Sequence, residues 1–150
     1  MKNMSRLGKI WDGKEAEEVL NEFLEDLKNK GTGVEAVIVI GSRARGAWRP
    51  SSDIDVVIIV KNQEDVEKVL MAKRIGLIDP KTYTVEEAWE ALKKVDTTIV
   101  EALEYGVEIY DKGIWNLIKK KYEKTLKNKI KIVLNKNKQI IQIALLESQN

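Results

Sequence analysis

The sequence predicts a small α/β (α+β) domain in which a mixed β-sheet is flanked by helices. Two runs rich in apolar β-branched residues, at 34–40 and 53–60, are typical of buried strands. Segments with apolar residues at helical spacing lie before and after them. A length of 150 residues suits one compact domain. Together these features indicate a single sheet with helices packed on it.

The first half of the chain is predicted to form a helix and then the two strands. Asp12 is placed as the cap of a helix whose apolar residues recur at helical intervals until Gly31. The strand at 34–40 follows, and a loop rich in Gly, Arg, Ser and Pro is expected at 41–52. The second strand begins with two acidic residues and runs from 53 to 60.

The second half is predicted to alternate helices with shorter strands. In order, we expect a helix at 62–73, a strand at 74–83, helices after 84 and from 96 to 103, and a strand at 107–110. Pro80 indicates an edge position for the strand that contains it, because proline has no N–H to donate. Thr84 and Glu87 have the spacing of a capping box, and Asp96 that of a helix cap.

Residues 114–150 are expected to form a Lys-rich tail beyond a domain that comprises residues 1–113. Rough helical spacing and the absence of Gly and Pro favour one or two helices in this tail. A hairpin that turns at 135–138 is the alternative, because residues 129–134 partly alternate. Nine Lys and one Glu lie within 119–138. This charge indicates either a solvated helix face or a surface that contacts RNA or an acidic partner.

The composition restricts the chemistry, because the chain contains no His and no Cys. This absence excludes catalytic triads and dyads that use these residues, thiol redox chemistry, disulfides, and zinc sites of thiolate or imidazole. Carboxylates, Lys, Arg, hydroxyls, backbone groups and a hard cation remain. The sequence shows no signal peptide and no membrane span, so we expect a cytoplasmic protein without membrane contact. High Lys and Glu content without Cys also fits a thermophile.

The segment from Gly41 to Asp55 contains the strongest functional pattern. Asp53 and Asp55 are two residues apart on a predicted strand, so their carboxylates project from the same face. Two like charges at such a distance raise each other's pKa unless a cation neutralises them. Hard oxygen ligands suit Mg²⁺ or Mn²⁺. An Asp-x-Asp pair alone is often a solvated turn, and the preceding loop is what favours a functional site.

That loop supplies groups that bind phosphate. Gly41 lets backbone amides approach a phosphate closely, and the Ser42 hydroxyl can donate a hydrogen bond to it. Three guanidinium groups are available for a polyanion, those of Arg43, Arg45 and Arg49. Trp48 lies in the same loop and could stack on a base. Because a divalent cation bridges phosphates to carboxylates, the combination indicates phosphoryl or nucleotidyl transfer.

Gly41-Ser42, ten intervening residues and Asp53-x-Asp55 resemble the signature of the minimal nucleotidyltransferases, in the DNA polymerase β-like superfamily. The similarity covers roughly residues 34–113. It implies the nucleotidyltransferase fold and a two-metal mechanism, with Asp53 and Asp55 as metal ligands and Gly41 and Ser42 at the β- and γ-phosphates.

The resemblance also implies a third carboxylate from a following strand, which would bind metal and help to deprotonate the acceptor. Asp79 occupies the corresponding place, four residues before the Tyr-Thr pair. An Asp-Pro step is also a common turn, so Glu86 and Glu87 are the alternatives for this role, although capping of the next helix explains them as well.

The donor and acceptor come from the resemblance alone. Stand-alone minimal nucleotidyltransferases often pair with a HEPN-type toxin and can AMPylate it on a tyrosine hydroxyl. ATP is therefore the expected donor, and a partner tyrosine the expected acceptor, with release of pyrophosphate. Two other functions remain open: a non-catalytic, antitoxin-like binding subunit, and a nucleotidyltransferase that acts on RNA ends.

Overall fold

A mixed four-stranded β-sheet with helices on both faces forms the centre of the computed structural model, which describes residues 7–72, 77–136 and 139–146. The elements are, in chain order, α1 (Ala16–Asn29), β1 (Val34–Ile40), α2 (Gly41–Arg45), β2 (Ile54–Val60), α3 (Gln63–Ala72), β3 (Ile78–Thr84), α4 (Val85–Lys93), α5 (Thr97–Tyr105), β4 (Val107–Asp111), α6 (Ile114–Thr125), β5 (Ile130–Leu134) and β6 (Ile140–Leu145). A 3₁₀ turn, Lys127–Lys129, joins α6 to β5. The predicted α/β class with flanking helices is confirmed.

The strands lie in the order β3-β2-β1-β4. β1 is antiparallel to both β2 and β4, whereas β2 is parallel to β3. Pro80 therefore lies on an edge strand, as predicted, where its missing N–H costs no ladder hydrogen bond. The start of this strand was expected at 74–76, which lies outside the described residues.

Each face of the sheet has its own apolar core. Val37 and Val39 pack with α1 and α3 on one face, and Ile38 and Ile40 pack with α4, α5 and α6 on the other. Asp55 lies opposite Ile40 in the antiparallel ladder, so it shares the second face. The acidic residues are thus carried at the rim of a sheet whose strands are held from both sides.

The helix starts test the predicted caps. Thr84 accepts a hydrogen bond from Glu87 N, and the Glu87 side chain accepts one from Thr84 N, which confirms the capping box. Asp96 accepts from Ile99 N, as predicted. The prediction for Asp12 was wrong, because its carboxylate accepts from the backbone of Lys14 in a turn and α1 begins only after that turn. None of the described helices is long and apolar enough to cross a membrane.

The tail is helical only in its first part. α6 follows Gly113, but the expected helix over residues 130–145 was wrong, and the alternative hairpin is what forms, as β5 and β6. Its alternating apolar residues explain this, since Ile130, Ile132, Ile140 and Ile143 pack on the second core. Trp115 of α6 is buried in that core too. The division of the chain at residue 113 stays a prediction.

Candidate active site

Gly41 makes the turn that leaves β1 and enters α2. Its φ of +73° lies in the left-handed region, and a Cβ there would lie 2.5 Å from Asp55 Oδ2. Any other residue would be strained by its backbone and would collide with the carboxylate. The first short helical turn therefore begins directly against Asp55, with Ser42 as its second residue.

Asp55 and Asp79 are neighbours at this rim of the sheet, and Asp53 lies near enough for its charge to act on Asp55. Asp55 lies beside Asp79 in the parallel ladder, so the two side chains project from the same face of the sheet. Burial, followed by the charges of Asp79 and Asp53, raises the pKa of the Asp55 carboxyl to about 6. The structure thus brings together all three residues that the sequence singled out, while their catalytic roles stay a prediction.

A fourth carboxylate, from α5, reaches the turn from a distant part of the chain. Glu101 Oε2 accepts from Gly41 N at 2.9 Å and from Arg45 Nη1 at 3.0 Å. The Arg45 side chain is only 7% exposed, and its Nε is buried without a hydrogen-bond partner among the described residues. Sequence reasoning did not select Glu101, because its position in an amphipathic helix carries no local signal.

These groups line one cavity of about 440 Å³. Gly41, Ser42 and Arg45 form one side, Asp55 and Glu101 lie on the walls, and residues 139–141 of the hairpin close it. The volume lies within the range of about 300–1,000 Å³ that is usual for small-molecule sites. Polar groups from four parts of the chain therefore converge on a space large enough for part of a nucleotide.

Comparisons with known proteins identify the family to which the chain belongs. Residues 20–145 match the model of the nucleotidyltransferase domain family. The chain belongs to that family. A curated protein of Methanocaldococcus jannaschii named "Putative protein adenylyltransferase" is 33% identical over 106 residues, which are 61% of this chain and 96% of that protein.

Two solved structures are also similar to this nucleotidyltransferase domain. A "putative nucleotidyltransferase" from Sulfolobus solfataricus has a TM-score of 0.45 and 24% identity, over 63% of this chain and 79% of its own. A "toxin-antitoxin with AMP-PNP" has a TM-score of 0.47 and 15% identity, over 72% and 86%. The family assignment rests on the two sequence matches.

Arg43 in this nucleotidyltransferase does not have the role expected of it. It is fully buried, and its guanidinium donates to the backbone carbonyls of Leu7, Lys9, Arg49 and Ser52. All five of its N–H donors are used in these bonds, so none is left for a phosphate. The prediction that Arg43 binds nucleotide was therefore wrong. The residue fastens the segment after β1 to the N-terminal segment.

The other residues of this loop that were considered for nucleotide binding, Arg45, Trp48 and Arg49, lie in different places. The Trp48 ring packs on the Arg43 guanidinium, with 5.7 Å between Arg43 Cζ and the ring centroid, and it also lies against Gly8. Trp48 therefore covers the buried Arg43 side chain. Arg49 is exposed and is not among the residues that line the cavity. Arg45 is thus the one of the three arginines that the structure places at the cavity.

Lys81 is a cation at the acidic cluster that sequence reasoning missed. Its Nζ lies 2.7 Å from Asp79 Oδ2, and this hydrogen bond, together with the charges of Asp79, Asp55 and Asp53, raises the pKa of the lysine. The position was readable in principle, since residues 79 and 81 share a face of β3. Lys81 partly offsets the repulsion among the acids.

The donor set fits a divalent metal. No three carboxylates in the described ranges are already gathered at metal-ligand spacing. Burial, followed by the charges of Asp79 and Asp53, raises the pKa of Asp55, so a cation would be favoured beside this carboxylate, and every nearby donor is an oxygen. Asp53, Asp55 and Asp79 are the residues that would hold it. Glu87 is engaged in its capping box and Glu86 is exposed, so neither joins this group.

Proposed function

We propose that this nucleotidyltransferase moves AMP from ATP to a hydroxyl group of a partner protein. The observation that carries the proposal is the packing of the Gly41 turn against Asp55, with Asp79 next to it in the sheet. The name of the Methanocaldococcus jannaschii relative supports the choice of an adenylyl donor and a protein acceptor.

In this proposal the turn after β1 binds the triphosphate. Gly41 and Ser42 lie on the wall of the cavity. Because the Gly41 N–H already donates to Glu101, the Ser42 hydroxyl and the backbone amides that follow it donate hydrogen bonds to the β- and γ-phosphates. The buried guanidinium of Arg45 adds a positive charge to the same wall. These contacts hold the α-phosphorus over the acids at the rim of the sheet.

The acids then complete the reaction. Asp53, Asp55 and Asp79 would hold Mg²⁺ or Mn²⁺, which when bound neutralises charge on the phosphates and makes the acceptor hydroxyl more acidic. The acceptor oxygen forms a bond to the α-phosphorus, and the bond from that phosphorus to the oxygen bridging to the β-phosphate breaks. Asp79 takes the hydroxyl proton, and pyrophosphate leaves with the electron pair.

The acceptor in this proposal is a tyrosine on a HEPN-type toxin. This part rests on the resemblance of the Gly41-Ser42 and Asp53-x-Asp55 signature to the minimal nucleotidyltransferases. A tyrosine hydroxyl suits the reaction because the cation and a carboxylate together lower the barrier to its ionisation.

The test is incubation with α-labelled ATP and Mg²⁺, with and without the protein from the neighbouring gene. We expect label on the partner protein, and its loss in Asp53→Ala with the fold retained. Glu86→Gln, an exposed acid outside the cluster, is the matched control and should keep full activity. Label on RNA instead of on the partner protein would mean that RNA is the acceptor. If Asp53→Ala still neutralised the partner although no label was transferred, a non-catalytic binding subunit would be favoured.

A further inference from the structure

Glu101 links the two halves of the cavity wall. Its side chain is 19% exposed and lies on α5, far along the chain from the turn that it contacts. A single carboxylate oxygen accepts from both the Gly41 backbone and the Arg45 guanidinium. Hydrogen bonds to a charged, largely buried group are stronger than neutral ones, so this contact fixes the geometry of both partners.

Glu101 does not use all of the N–H donors of the Arg45 guanidinium. Nη1 is engaged by Glu101, whereas Nε is buried and has no partner in the part of the chain that the structure describes. Because the buried Nε is closed off from solvent, the donors left for a ligand oxygen are those of Nη2, which have no partner among the described residues and belong to a side chain that lines the cavity. A phosphate oxygen matches both the charge and the planar fork of the guanidinium.

We propose that Glu101 is a positioning residue for the nucleotide phosphates. Its carboxylate holds the Arg45 guanidinium against the wall and fixes the Gly41 turn, so that both groups meet the triphosphate already oriented. Glu101 does not itself contact the phosphates, because two anions would repel. This inference rests on the proposed function and adds to it the group that preorganises phosphate binding.

The test separates positioning from general support of the fold. Glu101→Gln keeps an acceptor for the Gly41 N–H but removes the charge that holds Arg45. We expect the KM for ATP to rise about tenfold while kcat stays within about threefold, since the loss is one of binding. Glu104→Gln is the matched control, because Glu104 lies on the same helix and bonds Tyr122 outside the cavity. Its KM should not change.

A double substitution tests whether Glu101 acts through Arg45. In an Arg45→Gln background, Glu101→Gln should change the KM by less than about twofold, because the group that it positions is already absent. Independent effects that multiply would overturn the inference. If Glu101→Gln does not fold, Glu101→Asp, which keeps the charge and shortens the reach, provides the same KM comparison.

The remaining outcomes are distinct. A lower KM for ATP in Glu101→Gln would mean that the carboxylate competes with phosphate for Arg45. An unchanged KM would mean that the carboxylate neither positions the phosphate-binding groups nor competes with phosphate. Either result would overturn the inference. Calorimetric binding of Mg²⁺-ATP to the unsubstituted chain is the separate check on the proposed function. Binding without transfer would refute the transfer reaction, and the dissociation constant would then replace KM in the same test. No binding would overturn both.

Discussion

Substitution of Asp55 by Asn should stabilise the metal-free protein at pH 8. Burial, then the neighbouring Asp79 and Asp53, raises the pKa of Asp55 from 3.8 to about 6. The folded state therefore binds more protons than the unfolded state between these values. Stability from this group is fully present below about pH 4 and is lost as pH rises through about 6. Asparagine keeps the shape and cannot ionise.

The magnitude follows from the size of the pKa shift. About 2 units correspond to about 3 kcal/mol at most. Asp55 is partly exposed, so solvent screening reduces the figure to roughly 1–2 kcal/mol. With a urea m-value of about 1–3 kcal/mol/M, the denaturation midpoint should rise by roughly 0.3–2 M at pH 8.

Urea denaturation in the presence of a chelator is the assay, at pH 4 and at pH 8. The difference between Asp55→Asn and the unsubstituted chain should be near zero at pH 4 and appear at pH 8. Glu86→Gln, exposed and outside the cluster, should show no pH-dependent difference. An Asp55→Asn protein that is less stable at pH 8, or equally shifted at both pH values, would refute the electrostatic reasoning.

Three further predictions concern the same region. Mg²⁺ should raise the urea midpoint of the unsubstituted chain at pH 8 and leave that of Asp55→Asn unchanged; equal shifts would place the metal elsewhere. Gly41→Ala should abolish AMP transfer and destabilise the fold more than Gly46→Ala does. Open space surrounds Gly46, so an alanine there incurs only the cost of a left-handed backbone, about 1–2 kcal/mol. Similar losses of stability in both variants would show that the contact of residue 41 with Asp55 does not matter. Arg43→Lys should lower the free energy of unfolding by about 2–4 kcal/mol with the KM for ATP unchanged, whereas a raised KM in folded protein would return Arg43 to the binding site.

The local features of this chain could be predicted from sequence because their causes are local. The apolar strands, the capping box at Thr84 and the Gly41-Ser42 turn each depend on residues a few positions apart. The prediction for Arg43 was wrong because an arginine in a loop has the same local pattern whether its guanidinium is exposed or inserted among backbone carbonyls. Glu101 was missed for a related reason, since only the packing of α5 on the sheet brings it to Gly41.

The hairpin shows where periodicity alone was insufficient. Residues 130–145 have an apolar content that suits either a helix or two strands, and the choice depends on which surface they cover. Ile140 and Ile143 pack on the second core, and the neighbouring residues 139–141 close the cavity beside Ser42. A helix there would place its apolar residues at a different spacing and could not present the same edge to the cavity.

The carboxylates at the rim of the sheet repel one another, and a nearby cation offsets part of this repulsion. Asp55 is held close to Asp79 by the sheet register, which costs stability in the absence of a cation. Lys81, whose Nζ lies 2.7 Å from Asp79 Oδ2, offsets part of that cost. Glu101 and Arg45 form an ion pair that also holds the Gly41 N–H, and in the proposed function this pair keeps the phosphate-binding wall in place. In the proposed function, binding of metal and nucleotide relieves the repulsion that remains, so the same groups that destabilise the unliganded protein favour the bound state.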